Sequence, residues 1–430
     1  MTLVNRFADF LNASPTPFHA TRNLCEMFAQ DGFVALDEKQ RWNLQPRGKY
    51  FFTRGDASFV ALVQGDAPLD QSGMRIIGAH TDSPCLKVKP NADVMAQGFH
   101  QLGVAVYGGA LLSPWFDRDL SLAGQVTFLT AAGEIGKALV NFERPIAVIP
   151  SLAIHLDRTV NEGRAINPQK QMNAILQVGD EDASLNTMLL QQVHKQNPEA
   201  TQVLEYNLSF YDTQPARPIG AKQDFFSGAR LDNLVSCFLG ASALLQAGSA
   251  ATSVLICNDH EEIGSQTEIG AQGPMLSELM DRLVSEPQSR QMVLRNSVML
   301  SVDNAHGIHP NFADKHDDKH GPLINAGPVL KYDANQSYAT NAETASLVRW
   351  LAQKTDADTE IPLQKYITRA DQRCGSTIGP LTAAKTGVRA VDIGVPTFAM
   401  HSIRELAGVK DIESMERLLA RFVSVTNIPV

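Results

Sequence analysis

The chain has 430 residues, a formal net charge of −9, and 19% charged against 44% hydrophobic residues. That length suits two domains rather than one. The acidic balance argues against nucleic acid or an anionic membrane as the main partner. The five cysteines (Cys25, Cys85, Cys237, Cys257 and Cys374) are scattered and odd in number. Their pattern excludes a disulfide framework or a thiolate metal knuckle. With no bilayer-length apolar run and no apolar leader, a cytoplasmic setting is the expectation.

Residues 1–33 read as two helices, the first burying Val4, Phe7, Phe10 and Leu11. Pro17 suits an early position in the second, which stops near Gly32. Residues 50–65 read as strands, followed by MRIIGAHTDSP at 74–84. There a short strand delivers His80 and Asp82, which face the same way when extended. His80 can ligate a metal while Asp82 orients its ring.

From about Pro90 to Pro218 the pattern changes to β-rich. Leu102–Tyr107, Leu122–Phe128 and Ala147–Ile149 are candidate strands, and Asp117, Arg118 and Asp119 precede a hairpin. Residues 152–172 read as a polar loop, and 201–211 as an edge strand. The expected organisation is 1–90, an inserted β-rich domain at 91–220, and 221–430 resuming the first domain.

Asp232 is placed just inside the start of an apolar helix, where unpaired amides favour a carboxylate. The stretch ATSVLICNDHEEIGS follows at 251–265, an apolar strand ending at Glu261 and Glu262. Open α/β sheets put their chemistry at such strand ends. Gly270–Val284 reads as a helix. SVMLSVDNAHG at 297–307 is a strand ending at Asp303. His309, His316 and His320 fall in a loop and are read as cleft residues rather than ligands. Lys331 follows the strand Gly327–Leu330, and Asn341–Gln353 is a helix. RCGSTIGP at 373–380 offers small residues for close backbone approach but lacks P-loop spacing. Val391–Ser402 reads as a strand delivering His401, with a final helix over Ile403–Phe422.

His80, Asp232, Glu261, Glu262, Asp303 and His401 thus stand at five strand or loop ends. Their nitrogen and oxygen donors suit two divalent ions, zinc first, with manganese or cobalt as alternatives. Two ions sharing a carboxylate and a water can run hydrolysis, with a remaining carboxylate as base. The residues alone leave open other two-metal hydrolases, such as a carboxypeptidase or aminoacylase, and a non-enzymatic assembly protein.

The motifs GAHTDSP (78–84), LDN (231–233), DHEEIGS (259–265), SVDNAHG (301–307), GSTIGP (375–380) and MHSIRE (400–405) together resemble the aspartyl aminopeptidase family. The resemblance implies an α/β metallopeptidase domain, with a mixed sheet flanked by helices and an inserted dimerisation domain. It implies that Asp232 bridges two metals, His80 and Asp303 complete one site, and Glu262 and His401 the other. Glu261 is then the general base and Asp82 the partner of His80. IHLDR (154–158) is similar to a loop that reaches a neighbouring subunit's site, which assigns His155 to substrate or intermediate. Lys331 and His306 fall near substrate positions. The implied substrates are peptides with a free N-terminus; the resemblance covers relatives that prefer Asp or Glu at the first position and others that prefer neutral residues such as Leu. The implied assembly is a homo-oligomer of dimers forming a tetrahedral dodecamer.

Overall fold

The computed structural model describes residues 1–179, 184–353 and 359–429. The chain divides into two compact units. The first comprises Met1–Asp82, Ala216–Met400 and the segment from Glu405 onward; the second comprises Ser83–Pro215 with His401–Arg404. Residues 180–183 of the β-rich segment and Val430 lie outside the described residues. No helix among the described residues is long and apolar enough to cross a membrane.

The first unit is built on a nine-stranded mixed sheet. Its centre is four parallel strands, Thr252–Asn258, Met74–His80, Val298–Val302 and Arg389–Gly394, in that spatial order. Successive side chains point to opposite faces, and both faces are covered. Ile77, Leu255 and Leu300 pack with Phe7, Leu24, Leu239, Leu347 and Leu418. Ile76, Val254 and Met299 pack with Met275, Leu279 and Val293 on the other face. This is why these strands read as unbroken apolar runs. Running parallel, they release their polar C-terminal residues at one edge. The same unit holds a five-stranded sheet that includes Phe225–Gly228, Glu405–Gly408 and Pro396–Phe398.

The expected N-terminal helices form at Leu3–Ala13 and Pro17–Gln30, the first capped by the Thr2 hydroxyl accepting from the Asn5 amide. The helix at Ala342–Ala352 starts from an Asn341–Thr344 capping box. Other expectations need correcting. The final helix spans Val409–Ser424, starting six residues later than expected. Glu405–Gly408 instead pairs with strands on both sides, so Leu406 belongs to a sheet. The helix read over Gly270–Val284 shortens to Met275–Leu283. A Cβ on Gly270 or Gly273 would lie 2.4 or 2.5 Å from the carbonyl oxygens of Ser265 and Glu268, so these glycines serve a tight turn. Two weakly amphipathic helices, Leu185–His194 and Pro287–Asn296, were not expected.

The second unit is a six-stranded antiparallel sheet with the helix Leu185–His194 against its core through Leu185, Leu189 and Val193. The strand Ala200–Asp212 lies inside this sheet, between Leu120–Thr130 and Cys85–Ala96, and not at its edge. Its alternation reports one open sheet face, which any strand of an antiparallel sheet can have. Ala147–Ile149 contributes only isolated bridges, Leu120 to Ala147 and Val148 to Ile175.

Candidate metal centre

The parallel strands of the first unit set the site. His80 is paired in register with Asn258, which puts the Glu261–Glu262 turn beside it. Asp303 follows the strand Val298–Val302, whose Ser301 is level with Gly78. Its backbone lies directly on Gly394, where a Cβ would stand 1.8 Å from the Asp303 carbonyl oxygen. Asp232 sits at a bend (φ −80°, ψ 104°) that precedes the regular helix, with a cis peptide to Asn233. Asp232 thus stands in the first turn of the helix Leu231–Leu245, as expected, although its own φ and ψ are not helical. Its amide donates to Glu405 Oε2 at 2.9 Å.

His80 is 1% exposed and central. Its Nε2 lies 3.3 Å from Asp232 Oδ1, 3.5 Å from Asp303 Oδ1 and 3.9 Å from Glu261 Oε2. Its Nδ1 faces the Asp82 carbonyl at 3.1 Å and Asp82 Oδ1 at 3.3 Å. Both are acceptors, so Nδ1 carries a hydrogen and Nε2 is the nitrogen aimed at the carboxylates. Asp82 does more than orient this ring. Its Oδ1 and Oδ2 accept the amides of Glu261 and Glu262, each at 3.1 Å, and so fix the double-glutamate turn.

Within the first unit the described donors form two clusters. In each, His80–Asp232–Asp303 and His80–Glu261–Glu262, the ligand atoms lie within 4.8 Å of one another. Imidazole nitrogen with carboxylate oxygens is a donor set for zinc, and the two clusters are consistent with a dinuclear zinc site. The electrostatics ask for cations there. Burial disfavours the His80 imidazolium, yet Asp232, Asp303 and Asp82 hold its pKa well above the usual value. Burial pushes Glu261 up to about 8 against the opposing pull of His80, with Asp303 and Asp232 adding to the rise. Burial and Asp232 push Glu262 up to about 11.

Metal must displace these protons. Zinc added to metal-free protein at neutral pH is expected to release protons, and to bind more tightly as pH rises toward about 8. Calorimetry in buffers of differing ionisation enthalpy checks this; heats that ignore the buffer contradict it. The metal-free fold holds protons that the unfolded chain releases above pH 4.5, so its stability is expected to fall as pH rises from 4.5 toward about 8.

The other sequence candidates fall in several places. His306, in the strand Ala305–His306, keeps an open face and meets Tyr366 edge-on at 5.6 Å. Crowding around the rest of its ring, then Lys331, lowers its pKa to about 4, so it is neutral. Lys331 lies within the strand Val329–Tyr332 and is 2% exposed. His309, His316 and His320 join no metal-competent cluster among the described residues. His320 instead pairs with Asp317 at 2.6 Å. In the RCGSTIGP segment, a Cβ on Gly379 would lie 2.7 Å from the Asp392 carboxylate, so this close approach serves packing.

Two candidates belong to the second unit. His155 occupies an exposed turn. His401 is in a turn with φ +66°, beyond the short strand Pro396–Phe398 rather than at a strand end. Its Nδ1 donates to the Gly109 carbonyl at 3.2 Å, the tautomer that puts the lone pair on Nε2. Sequence reasoning missed Glu405 behind Asp232 and the Cys237 thiol, which donates to the His80 carbonyl at 3.0 Å. No local pattern marks such contacts, since the partners are far apart in the chain.

The family model described as "Aminopeptidase I zinc metalloprotease (M18)" matches residues 10–423. A Pseudomonas putida (strain GB-1) protein named "Probable M18 family aminopeptidase 2" is 53% identical over 425 residues, covering 98% of each chain. Among solved structures, a chain of the Ape4 and Nbr1 complex superposes with a TM-score of 0.93 at 35% identity, covering 98% of this chain and 85% of that one. The mApe1 dodecamer of S. cerevesiae matches with a TM-score of 0.84 at 28% identity, covering 97% and 95%. With the paired carboxylate–imidazole clusters, these matches place the chain in the M18 family, as a zinc-dependent aminopeptidase.

Proposed function

We propose that this aminopeptidase removes N-terminal Asp or Glu from peptides, and that two zinc ions would be held with Asp232 as the ligand common to both sets. His80 and Asp303 complete one ligand set, and Glu262 and His401 the other. The carrying observation is His80 Nε2, which faces carboxylates of Asp232, Asp303 and Glu261 within 3.9 Å. His401 enters through the MHSIRE motif and its fixed tautomer. Bound zinc would polarise the scissile carbonyl and acidify the attacking water.

The chain's own residues do the rest. Glu261, whose burial raises its proton affinity, takes the water proton on its carboxylate and passes it to the departing amine. Asp82 keeps His80 in its ligating tautomer and holds the amides of Glu261 and Glu262 in place. The acidic surroundings attract the substrate's α-ammonium. Lys331 and His306 stand on the Asp303 side and supply the substrate contacts of this reading; the Lys331 cation supports the acidic preference.

The β-rich second unit serves as the dimerisation domain, and the dimers assemble into a tetrahedral dodecamer. The dodecameric mApe1 relative supports this assembly. In it, His155 contacts the substrate bound by a neighbouring subunit.

The test is a panel of peptides differing only in the first residue, Asp, Glu or Leu, with wild type and His155→Ala compared at matched oligomer size. Faster release of Asp and Glu, with slower turnover in the variant, is the expected result. Preference for Leu would overturn the acidic reading, and unchanged turnover would remove His155.

A further inference from the structure

Asp232 projects from a stretch of backbone that leaves the helical path. Arg230 takes the left-handed conformation (φ 60°, ψ 30°), Asp232 stands at φ −80°, ψ 104°, and Asn233 at φ −126°, ψ 28°. The amides of a helix's first turn meet no carbonyl within the helix, and a buried one needs an acceptor from elsewhere. Asp232 is buried, and its amide donates to Glu405 Oε2 at 2.9 Å. Glu405 is itself 3% exposed. A hydrogen bond to a carboxylate is stronger than one between neutral groups, and more so away from water.

The chain on either side of Asp232 is tied down as well. The Arg230 guanidinium donates to the Ser14 carbonyl at 3.0 Å and the Leu11 carbonyl at 3.3 Å. The Asn233 carboxamide donates at 2.8 Å to the carbonyl of Val302, the residue before Asp303. Glu405 supplies the tie at Asp232 itself. Strand pairing makes it a rigid acceptor. Glu405–Gly408 runs antiparallel to Phe225–Gly228, with Glu405 level with Gly228, and pairs with Pro396–Phe398 on its other side. A carboxylate at the edge of the five-stranded sheet thus reaches the turn that opens the helix Leu231–Leu245.

We propose that Glu405 is a positioning residue for the zinc centre: its carboxylate holds the backbone from which the Asp232 carboxylate projects, and through Asp232 it governs the affinity for both ions. This rests on the reading of Asp232 as the ligand common to both sets. A ligand that serves two ions from one position ties the affinity of both to the placement of its backbone. A partner that orients a ligating residue governs metal affinity. The role also gives a task to the glutamate that ends the MHSIRE motif.

The experiment uses the full chain as Glu405→Ala, Glu405→Gln, Glu405→Asp, Asp232→Ala and the Glu405→Ala/Asp232→Ala double variant. The affinity for each zinc ion is read by stepwise competition with chromophoric chelators, on protein shown to be folded by circular dichroism. Glu405→Ala is expected to weaken both ions by about 10- to 100-fold. Glu405→Gln keeps an oxygen that accepts the amide, and should retain most of the affinity. Glu405→Asp keeps the charge but draws the carboxylate back by one methylene, and should lose affinity as Glu405→Ala does. The double variant should bind zinc no more weakly than Asp232→Ala alone.

Wild-type affinity for both ions in Glu405→Ala would overturn the proposal, and so would a Glu405→Gln variant as weak as Glu405→Ala. Should Glu405→Ala not fold, the contrast between Glu405→Gln and Glu405→Asp decides the same point. Wild-type zinc affinity in Asp232→Ala would instead remove the shared-ligand assignment on which the proposal rests.

Discussion

Glu261→Gln is expected to keep its zinc and lose its turnover. The change preserves shape but removes the group that takes a proton from water. Positioned acid–base groups contribute about 10²–10⁴-fold to a rate. That range is about 3–5 kcal/mol of barrier. Asp82 holds the backbone amides of the glutamate turn rather than their carboxylates, so the turn stays in place in the variant. Zinc content by elemental analysis beside kcat separates the two roles of the adjacent glutamates. Glu262→Gln should lose zinc affinity, while Glu261→Gln should not. Loss of zinc in Glu261→Gln, or near-normal kcat, would reverse the assignment.

The second large effect is expected at Asp82, which is 1% exposed. Its carboxylate accepts two amides and lies beside His80 Nδ1, so three contacts end on one side chain. Asp82→Ala removes them together. Two part-buried amides then lose their acceptor, at no more than about 1–3 kcal/mol each. His80 loses part of what fixes its tautomer, and zinc affinity should fall by about 10- to 100-fold. Asp82→Asn should be milder in stability, because the side-chain oxygen still accepts one amide. It should remain impaired in zinc binding, because an NH₂ then faces a donor. Urea denaturation of the metal-free variants, with chelator competition, measures both effects. Unchanged zinc affinity in Asp82→Ala would show that the ring is held by other means.

How much of this could be read from the sequence depends on the range of each signal. His80, Asp303 and the glutamate pair were legible because each follows an apolar run, and parallel strands release their ends at one sheet edge. Asp232 was legible as a residue but not in its backbone conformation, and the partner of its amide, Glu405, lies far along the chain. The Lys331–Asp303 pair was not legible. A lysine near a strand end reads as solvated, and only the order of three strands buries it. Leu406 shows the opposite error, where a residue in phase with a helix was captured by strand pairing on both sides. The strand Ala200–Asp212 reads as an edge because alternation reports a face, while its neighbours are decided by topology.

The most direct measurement is a zinc titration of the metal-depleted protein, following release of the first residue from one peptide in free and N-acetylated forms. The expected result is activity that rises to a plateau at two zinc ions per chain on the free peptide and stays absent on the acetylated one. A plateau at one ion, or equal cleavage of the acetylated peptide, would contradict a two-zinc enzyme that works from the free N-terminus.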